Sequence, residues 1–286
     1  MNVAQRAFRS VEHESAPALL DGVTRVFLGG LPIARLDRAG TADLMIAAAR
    51  SRPWHDRPLI ITSANGEVLS RCRNEPKLAA LFAAADLINA DGQPLVIASR
   101  LLGEALPERV ATTDLFHDVA RRAEPLGLSF YLLGATEDEN RKACERARAL
   151  FPRLNIVGRS HGYLDAAALE RRVDEIDALA PAILWVAFGV PREQEFCARF
   201  AHRLPNVRVI KTSGGLFNFL SGTRARAPLW MQRLSLEWAF RVAQEPRRLF
   251  WRYAVTSPHA IYLLARSRRL APAFDTALDT VTEGRR

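Results

Sequence analysis

Residues 128–150 read LSFYLLGATEDENRKACERARAL, and this stretch decides the fold. Leu128–Leu133 is a nearly unbroken apolar run of strand length, as a strand covered on both faces requires. Gly134-Ala135-Thr136 breaks it. Glu137–Leu150 then reads as a helix whose opening acids, Glu137-Asp138-Glu139, suit the positive end of a helix dipole. The same strand-then-helix unit recurs as Asn155–Val157 with Ala166–Leu179. It recurs again as Ile183–Phe188 with Arg192–Arg203, turning at Gly189 and Pro191. Towards the N-terminus, Leu59–Thr62 is a strand, and Asn65–Arg73 and Pro76–Ala85 are helical pieces. Asp86–Asn89 is a short strand ending in the turn pair Asp91-Gly92. Pro94–Leu102 is helical, and Leu115–Ala123 follows Thr112-Thr113-Asp114, a cluster suited to a helix N-cap. Val207–Ile210 is the last strand, before Ser213-Gly214-Gly215, and Val26–Leu36 around Gly29-Gly30 reads as a hairpin. Apolar strands alternating with helices predict an α/β fold: a mostly parallel, Rossmann-like sheet with helices on both faces.

The 286 residues are 49% hydrophobic and 25% charged, which suits a globular chain with a sizeable core. The net charge of +9 is concentrated at one end. Arg224–Arg269 holds ten arginines against Glu237 and Glu245, a local excess of 10 − 2 = +8, together with Trp230, Trp238 and Trp251. Arginine grips phosphate through a planar fork and tryptophan favours the membrane interface, so this end suits an anionic membrane surface. After Gly222 the pattern is helical only, with one helix over Leu229–Gln244 and a second entered at Pro246. On a wheel Leu249, Phe250 and Tyr253 share one face, and Arg248, Trp251 and Arg252 the other. The expected organisation is a flexible segment over 1–22, an α/β catalytic domain over 23–222 and a basic helical, membrane-associating appendage over 223–286. The longest apolar runs, Ala180–Val190 and Tyr253–Ala265, fall short of the ~18–20 residues that span a bilayer. The N-terminus lacks a signal-peptide core. A cytoplasmic protein, peripheral on the inner face of the cell membrane, is expected. Cys72, Cys144 and Cys197 are odd in number and widely spaced, which argues for core residues in a reducing compartment.

In parallel sheets ligands sit at the carboxyl ends of the strands. Those ends carry Ser63, Asn65, Asp91 and the Gly214-Gly215 pair. Asp91 is either a structural Asp-Gly turn or a ligand-facing carboxylate, and Asn65 either a helix cap or a crevice residue. Arg109 can pair with a diphosphate, and backbone N–H groups at Gly214 and Gly215 can reach phosphate. No dinucleotide or P-loop glycine signature, zinc spacing or Gly-x-Ser-x-Gly elbow is present, so no metal or cofactor is expected. A cofactor-dependent oxidoreductase is disfavoured by the missing glycine fingerprint. An alternative use of the Arg/Trp end is to bind single-stranded nucleic acid, although no such module precedes it.

Taken in order, nine short pieces carry a family resemblance. They are Ser63–Val68, Ala90-Asp91-Gly92, Glu108-Arg109-Val110 with Asp114-Leu115, Leu132-Leu133-Gly134, Phe151-Pro152 through Gly158 to Gly162-Tyr163, Gly189-Val190-Pro191, Gly214-Gly215 with Phe217, Arg226-Ala227-Pro228, and Leu236-Glu237-Trp238 through Arg241 to Glu245-Pro246 and Arg248. Over roughly residues 25–252 the chain resembles the WecG/TagA/CpsF glycosyltransferases of bacterial surface polysaccharide assembly. The resemblance implies transfer of a sugar, with inversion, from a UDP-sugar to a polyprenyl-diphosphate-linked glycan. It implies Asp91 as general base, with Ser63, Asn65, Arg109, Glu193, Gln194, Gly214, Gly215, Arg241 and Arg248 in substrate binding. It further implies a C-terminal appendage that docks at the membrane and helps to close the site. Nucleic acid is not an expected partner, and self-association is left open. Ser63-Ala64-Asn65 stands where the family has Thr-x-Asn, which keeps the hydroxyl. Glu193-Gln194 inverts the family's Gln-Glu order, which leaves open which of the two reaches ligand. A neutral hexose such as glucose is the donor sugar this reading leans to.

Overall fold

The computed structural model describes residues 16–51, 57–228, 230–231 and 237–268, with side chains for all of these except 16–18, 248–250, 252 and 253. Six strands form one wholly parallel sheet: β3 (Leu59–Ala64), β4 (Leu87–Ala90), β5 (Ser129–Gly134), β6 (Asn155–Ser160), β7 (Ile183–Ala187) and β8 (Val209–Thr212). Their order across the sheet is β4-β3-β8-β7-β5-β6. A separate antiparallel hairpin, β1 (Arg25–Leu28) and β2 (Leu31–Ala34), turns at Gly29-Gly30 as the sequence predicts.

Period-two alternation divides each strand between two cores. Leu59, Ile61, Phe130, Leu132, Ile183, Trp185 and Val209 face one side, against helices α2 (Arg38–Arg50), α6 (Thr112–Ala123), α7 (Glu137–Leu150) and α10 (Leu216–Leu220). Ile60, Tyr131, Leu133, Leu184, Val186 and Ile210 face the other, against α8 (Ala166–Leu179) and α9 (Arg192–Phe200). A third cluster joins Ile88 and Ala90 of β4 to the hairpin and to α3 (Gly66–Asn74), α4 (Pro76–Ala83) and α5 (Gln93–Leu101). Close packing of strand ends explains one glycine: at Gly134, with φ +136°, a Cβ would lie 2.3 Å from the Ala187 carbonyl oxygen.

Four boundaries differ from the sequence expectation, each for a physical reason. Within 1–22, residues 1–15 lie outside those described, but Ala16–Asp21 forms helix α1, with Leu19 and Leu20 packed on the main core. Helix α2 was not foreseen: its large buried residues, Leu44, Met45 and Ile46, are consecutive rather than spaced at the helical period, and Thr41, Ala42, Ala48 and Ala49 on either side are small. Thr112-Thr113-Asp114 form the first turn of α6 rather than its cap, which is Ala111. Strand β8 runs past Ile210 through Lys211 and Thr212, both buried.

The C-terminal segment supplies α11 (Glu237–Gln244) and α12 (Pro246–Ala265), with Pro246 in the first turn of α12 as expected. Residues 232–236, inside the predicted Leu229–Gln244 helix, lie outside those described. Helix α12 packs on α3: Ala260, Leu263 and Leu264 are buried, and a Cβ at Gly66 would sit 3.1 Å from the Ala260 methyl. Ser70 Oγ and His259 Nδ1 are 2.9 Å apart, and Gly29 N–H donates to Ser267 Oγ at 2.9 Å. The basic segment is thus continuous with the body's packing over its described part. Among the described residues no helix is long and apolar enough to cross a membrane.

Candidate active site

The carboxyl ends of β3, β4 and β8 meet the start of α9, and Arg226 and α11 approach them from the C-terminal segment. Asp91 follows β4 directly, and its N–H donates to the Ala64 carbonyl at 2.8 Å, which ties the turn to the end of β3. Gly92 keeps this turn tight against its neighbour: a Cβ there would lie 3.4 Å from Asn65 Cβ. Asn65 is the N-cap of α3, its side-chain oxygen accepting from Val68 N–H at 3.0 Å. The cap uses only the oxygen, so the two readings of Asn65 are compatible: its NH₂ remains a donor at the edge of the Asp91 turn.

The Asp91 side chain lies deep in the fold yet keeps 32% of its surface open to solvent, as at the bottom of an open recess. Burial pushes its carboxyl above the usual carboxylate range, the charges of Arg109, Lys211 and Arg241 oppose that rise, and Glu237 adds to it. Arg109 Nε is 3.7 Å from Asp91, and its Nη2 donates to Glu237 at 2.7 Å. Glu237 also lies 4.0 Å from Arg226, which forms a two-pronged pair with Asp114. Arg38 completes the chain of charges at 3.8 Å from Asp114. An arginine shared between a strand-end carboxylate and α11 therefore links the C-terminal segment to the recess. Arg241 of α11 lies over the Phe219 ring at 5.8 Å. Arg248 is in α12, with its side chain outside those described.

Behind Asp91 lies a polar layer that the sequence did not announce. Lys211 is completely buried, and its ammonium donates to Ser63 Oγ and to the Thr212 carbonyl, each at 2.9 Å. Burial pulls its pKa down to about 8, against the opposing pull of Glu193 and Asp91. Glu193, only 3% exposed, accepts from Gly189 N–H at 3.2 Å and from Gly214 N–H at 2.9 Å. Burial raises its carboxyl, while those amides and Lys211 hold it down. Gln194, also 3% exposed, donates to Thr62 Oγ1 at 3.2 Å, and Thr212 donates to the same oxygen at 2.8 Å.

These contacts bear on two expectations. Glu193 and Gln194 open the first turn of α9 and are turned under the cleft, so in this structure Glu193 is a strut between two loops rather than a cleft-lining group. Gly214 likewise gives its N–H to Glu193 rather than presenting it to a phosphate, whereas Gly215 is exposed. Ser63, Asn65, Asp91 and Arg109 are brought together. Missed altogether were Lys211, whose charge ended the predicted strand too early, and the Arg109–Glu237–Arg226–Asp114 network. A lysine inside an otherwise apolar strand run was the available signal. Among the described residues no group of three or more His, Cys, Asp or Glu could hold a metal ion.

A solvent-reached carboxylate with an arginine beside it stands at the carboxyl ends of the strands, where ligands sit in parallel α/β folds. The chain belongs to the Glycosyl transferase WecG/TagA/CpsF family, whose description matches residues 26–273, and it is a glycosyltransferase. It is similar to the N-acetylglucosaminyldiphosphoundecaprenol N-acetyl-beta-D-mannosaminyltransferase of Bacillus spizizenii, with 31% identity over 210 residues, 73% of this chain and 79% of that protein. The protein of the same name from Bacillus subtilis is 29% identical over 199 residues, 70% of this chain and 76% of its own length. That from Staphylococcus aureus is 26% identical over 211 residues, 74% and 81% respectively.

Proposed function

We propose that this glycosyltransferase moves a hexose, with inversion, from a UDP-sugar to a saccharide carried on a polyprenyl diphosphate, in the assembly of a surface glycan or exopolysaccharide. Asp91 carries the reading. An acceptor hydroxyl is a poor nucleophile until a carboxylate takes its proton in the transition state. Asp91 stands at a strand's carboxyl end, where ligands sit in parallel sheets, and reaches solvent, and Arg109 and Lys211 oppose the rise that burial gives its carboxyl. The hydroxyl oxygen then bonds to the anomeric carbon while the bond to UDP breaks on the opposite face. The negative charge gathering on the departing diphosphate calls for arginine and N–H donors. Arg109, Arg241, Arg248 and the N–H of Gly215 are the donors assigned to it, and Ser63 and Asn65 bind the substrate beside Asp91.

The relatives' names specify an N-acetylglucosaminyl-diphosphoundecaprenol acceptor and an N-acetylmannosamine donor group. The case for a neutral hexose such as glucose rested on the order of Glu193 and Gln194, and both are buried in contacts with protein. Following the relatives' names, N-acetylmannosamine, an N-acetylated amino derivative of a hexose, is the donor sugar we favour. Trp230, Trp238 and Trp251, exposed by 59%, 51% and 71%, support a peripheral position of the C-terminal end on the inner face of the cell membrane. The test is transfer from a panel of UDP-sugars to a synthetic lipid-diphosphate GlcNAc by the wild type and by Asp91→Asn. Loss of a positioned base lowers kcat by about 10²–10⁴-fold with UDP binding retained. An Asp91→Asn enzyme of near-normal rate refutes the assignment.

A further inference from the structure

We propose that Lys211 is a positioning residue for donor binding: by donating to Ser63 Oγ from beneath, it fixes the Ser63 hydroxyl as a hydrogen-bond donor to a diphosphate oxygen of the substrate. The inference rests on the UDP-sugar reading above and deepens it. A serine hydroxyl has one proton and two lone pairs, whereas an ammonium has only donors. The Lys211–Ser63 contact, at 2.9 Å, can therefore run in one direction only while Lys211 is charged. One lone pair of Ser63 is taken, and its proton must point elsewhere. The other neighbour is Thr112 Oγ1, and at 3.5 Å it is at the outer limit of a hydrogen bond. A phosphate oxygen entering the recess is a far stronger acceptor than Thr112.

The groups facing the ammonium from each adjoining element are Ser63 of β3, Asp91 after β4, Glu193 and Cys197 of α9, and the Thr212 carbonyl. Two carboxylates, Glu193 and Asp91, help to hold the cation. The arrangement is conditional on that charge. Burial lowers the Lys211 pKa to about 8, so above that pH a neutral amine replaces the ammonium. A neutral amine accepts, Ser63 turns its proton inward, and the substrate loses a donor.

Calorimetric titration of UDP into the wild type, Lys211→Met, Ser63→Ala and the double variant, at pH 7 and pH 9, tests this. At pH 7 each single change weakens UDP binding by roughly tenfold, the worth of one hydrogen bond to a charged group. The double variant is no weaker than either single one, because Lys211 acts only through Ser63. At pH 9 the wild type falls towards the variants, while Ser63→Ala is unchanged between the two pH values. Losses that multiply in the double variant, or a wild-type affinity equal at pH 7 and 9, overturn the inference. If Lys211→Met does not fold, Ser63→Ala decides alone, since any alkaline weakening that it retains refutes the proposal. A wild type that binds no UDP at either pH overturns the donor reading itself, and this inference with it. Normal UDP binding with multiplying losses removes only the role of Lys211.

Discussion

Replacing Lys211 with methionine should be better tolerated at neutral pH than in alkali. The lysine is completely enclosed, and burial moves its pKa from 10.5 down to about 8. Between those values the unfolded chain binds a proton that the folded chain has released, so wild-type stability rises with pH from about 8 to 10.5. Below about 8 the folded protein holds a charge that the unfolded chain holds more comfortably. At about 1.4 kcal/mol per pKa unit, this gap corresponds to a cost of roughly 3 kcal/mol. Methionine is unbranched, close in length and apolar, so it fills the same volume without the desolvation cost. Two hydrogen bonds, to Ser63 and the Thr212 carbonyl, are lost with the ammonium, and the Glu193 and Asp91 carboxyls lose the cation that opposes their burial, so these losses offset the gain. The assay is urea unfolding of wild type and Lys211→Met at pH 7 and pH 10, comparing the difference between the two proteins so that other titrating groups cancel. Relative to wild type, the methionine variant should lose roughly 2–3 kcal/mol between pH 7 and pH 10. A stability difference that does not change with pH refutes the premise that Lys211 is a strained cation in the folded state.

Two further predictions concern the C-terminal segment. Glu237→Gln removes a negative charge that raises the Asp91 carboxyl and frees Arg109 to approach Asp91. Because Asp91 must be ionised to accept a proton, the acid limb of kcat/KM should move to lower pH, and a shift to higher pH would exclude this network. The same variant should lose about 1–2 kcal/mol in urea unfolding, since Arg109 keeps one carboxylate partner. Truncation after Gly222 strips Leu263 and Leu264, 1% and 4% exposed, from the cluster under the hairpin. Each buried leucine contributes about 1.5–3 kcal/mol, so stability should fall by several kcal/mol and activity with it. An unchanged unfolding midpoint would show that α12 is an add-on. Binding of the truncated protein to anionic vesicles, followed by co-sedimentation, should also weaken.

The sheet was legible because parallel strands covered on both faces are written as apolar runs, and a helix must follow each one. Leu59–Thr62, Leu128–Leu133 and Ile183–Phe188 each fall on an observed strand. What failed were features whose logic is three-dimensional. Helix α2 buries Leu44, Met45 and Ile46 in succession between small threonine and alanine, which leaves little periodic signal. Lys211 broke an apolar run, and its reason for being there lies on β3, which it reaches at Ser63, 148 residues away. Asp91 was legible by position, at a strand end beside a glycine. Its surroundings were not, since Arg109 meets Glu237 across 128 residues and Arg226 meets Asp114 across 112.

Those long-range contacts bear on how the two ends of the protein act together. The C-terminal arginines suggest a surface for anionic lipid, yet Arg226 and the acid Glu237 face inward, towards Asp114 and Arg109. Arg109 is thus divided between Asp91 and α11. A diphosphate entering the recess offers Arg109 a stronger partner than Glu237, because it carries more charge and accepts through several oxygens. A ligand that takes Arg109 releases Glu237 but is gripped by Arg241 of the same helix under the function proposed above, so it exchanges one hold on α11 for another. Protease cleavage within 237–245 should accordingly be slowed by UDP more in Glu237→Gln, where the hold of Arg109 is already weakened, than in the wild type; an equal response in both proteins would mean that the two ends are not coupled through Arg109.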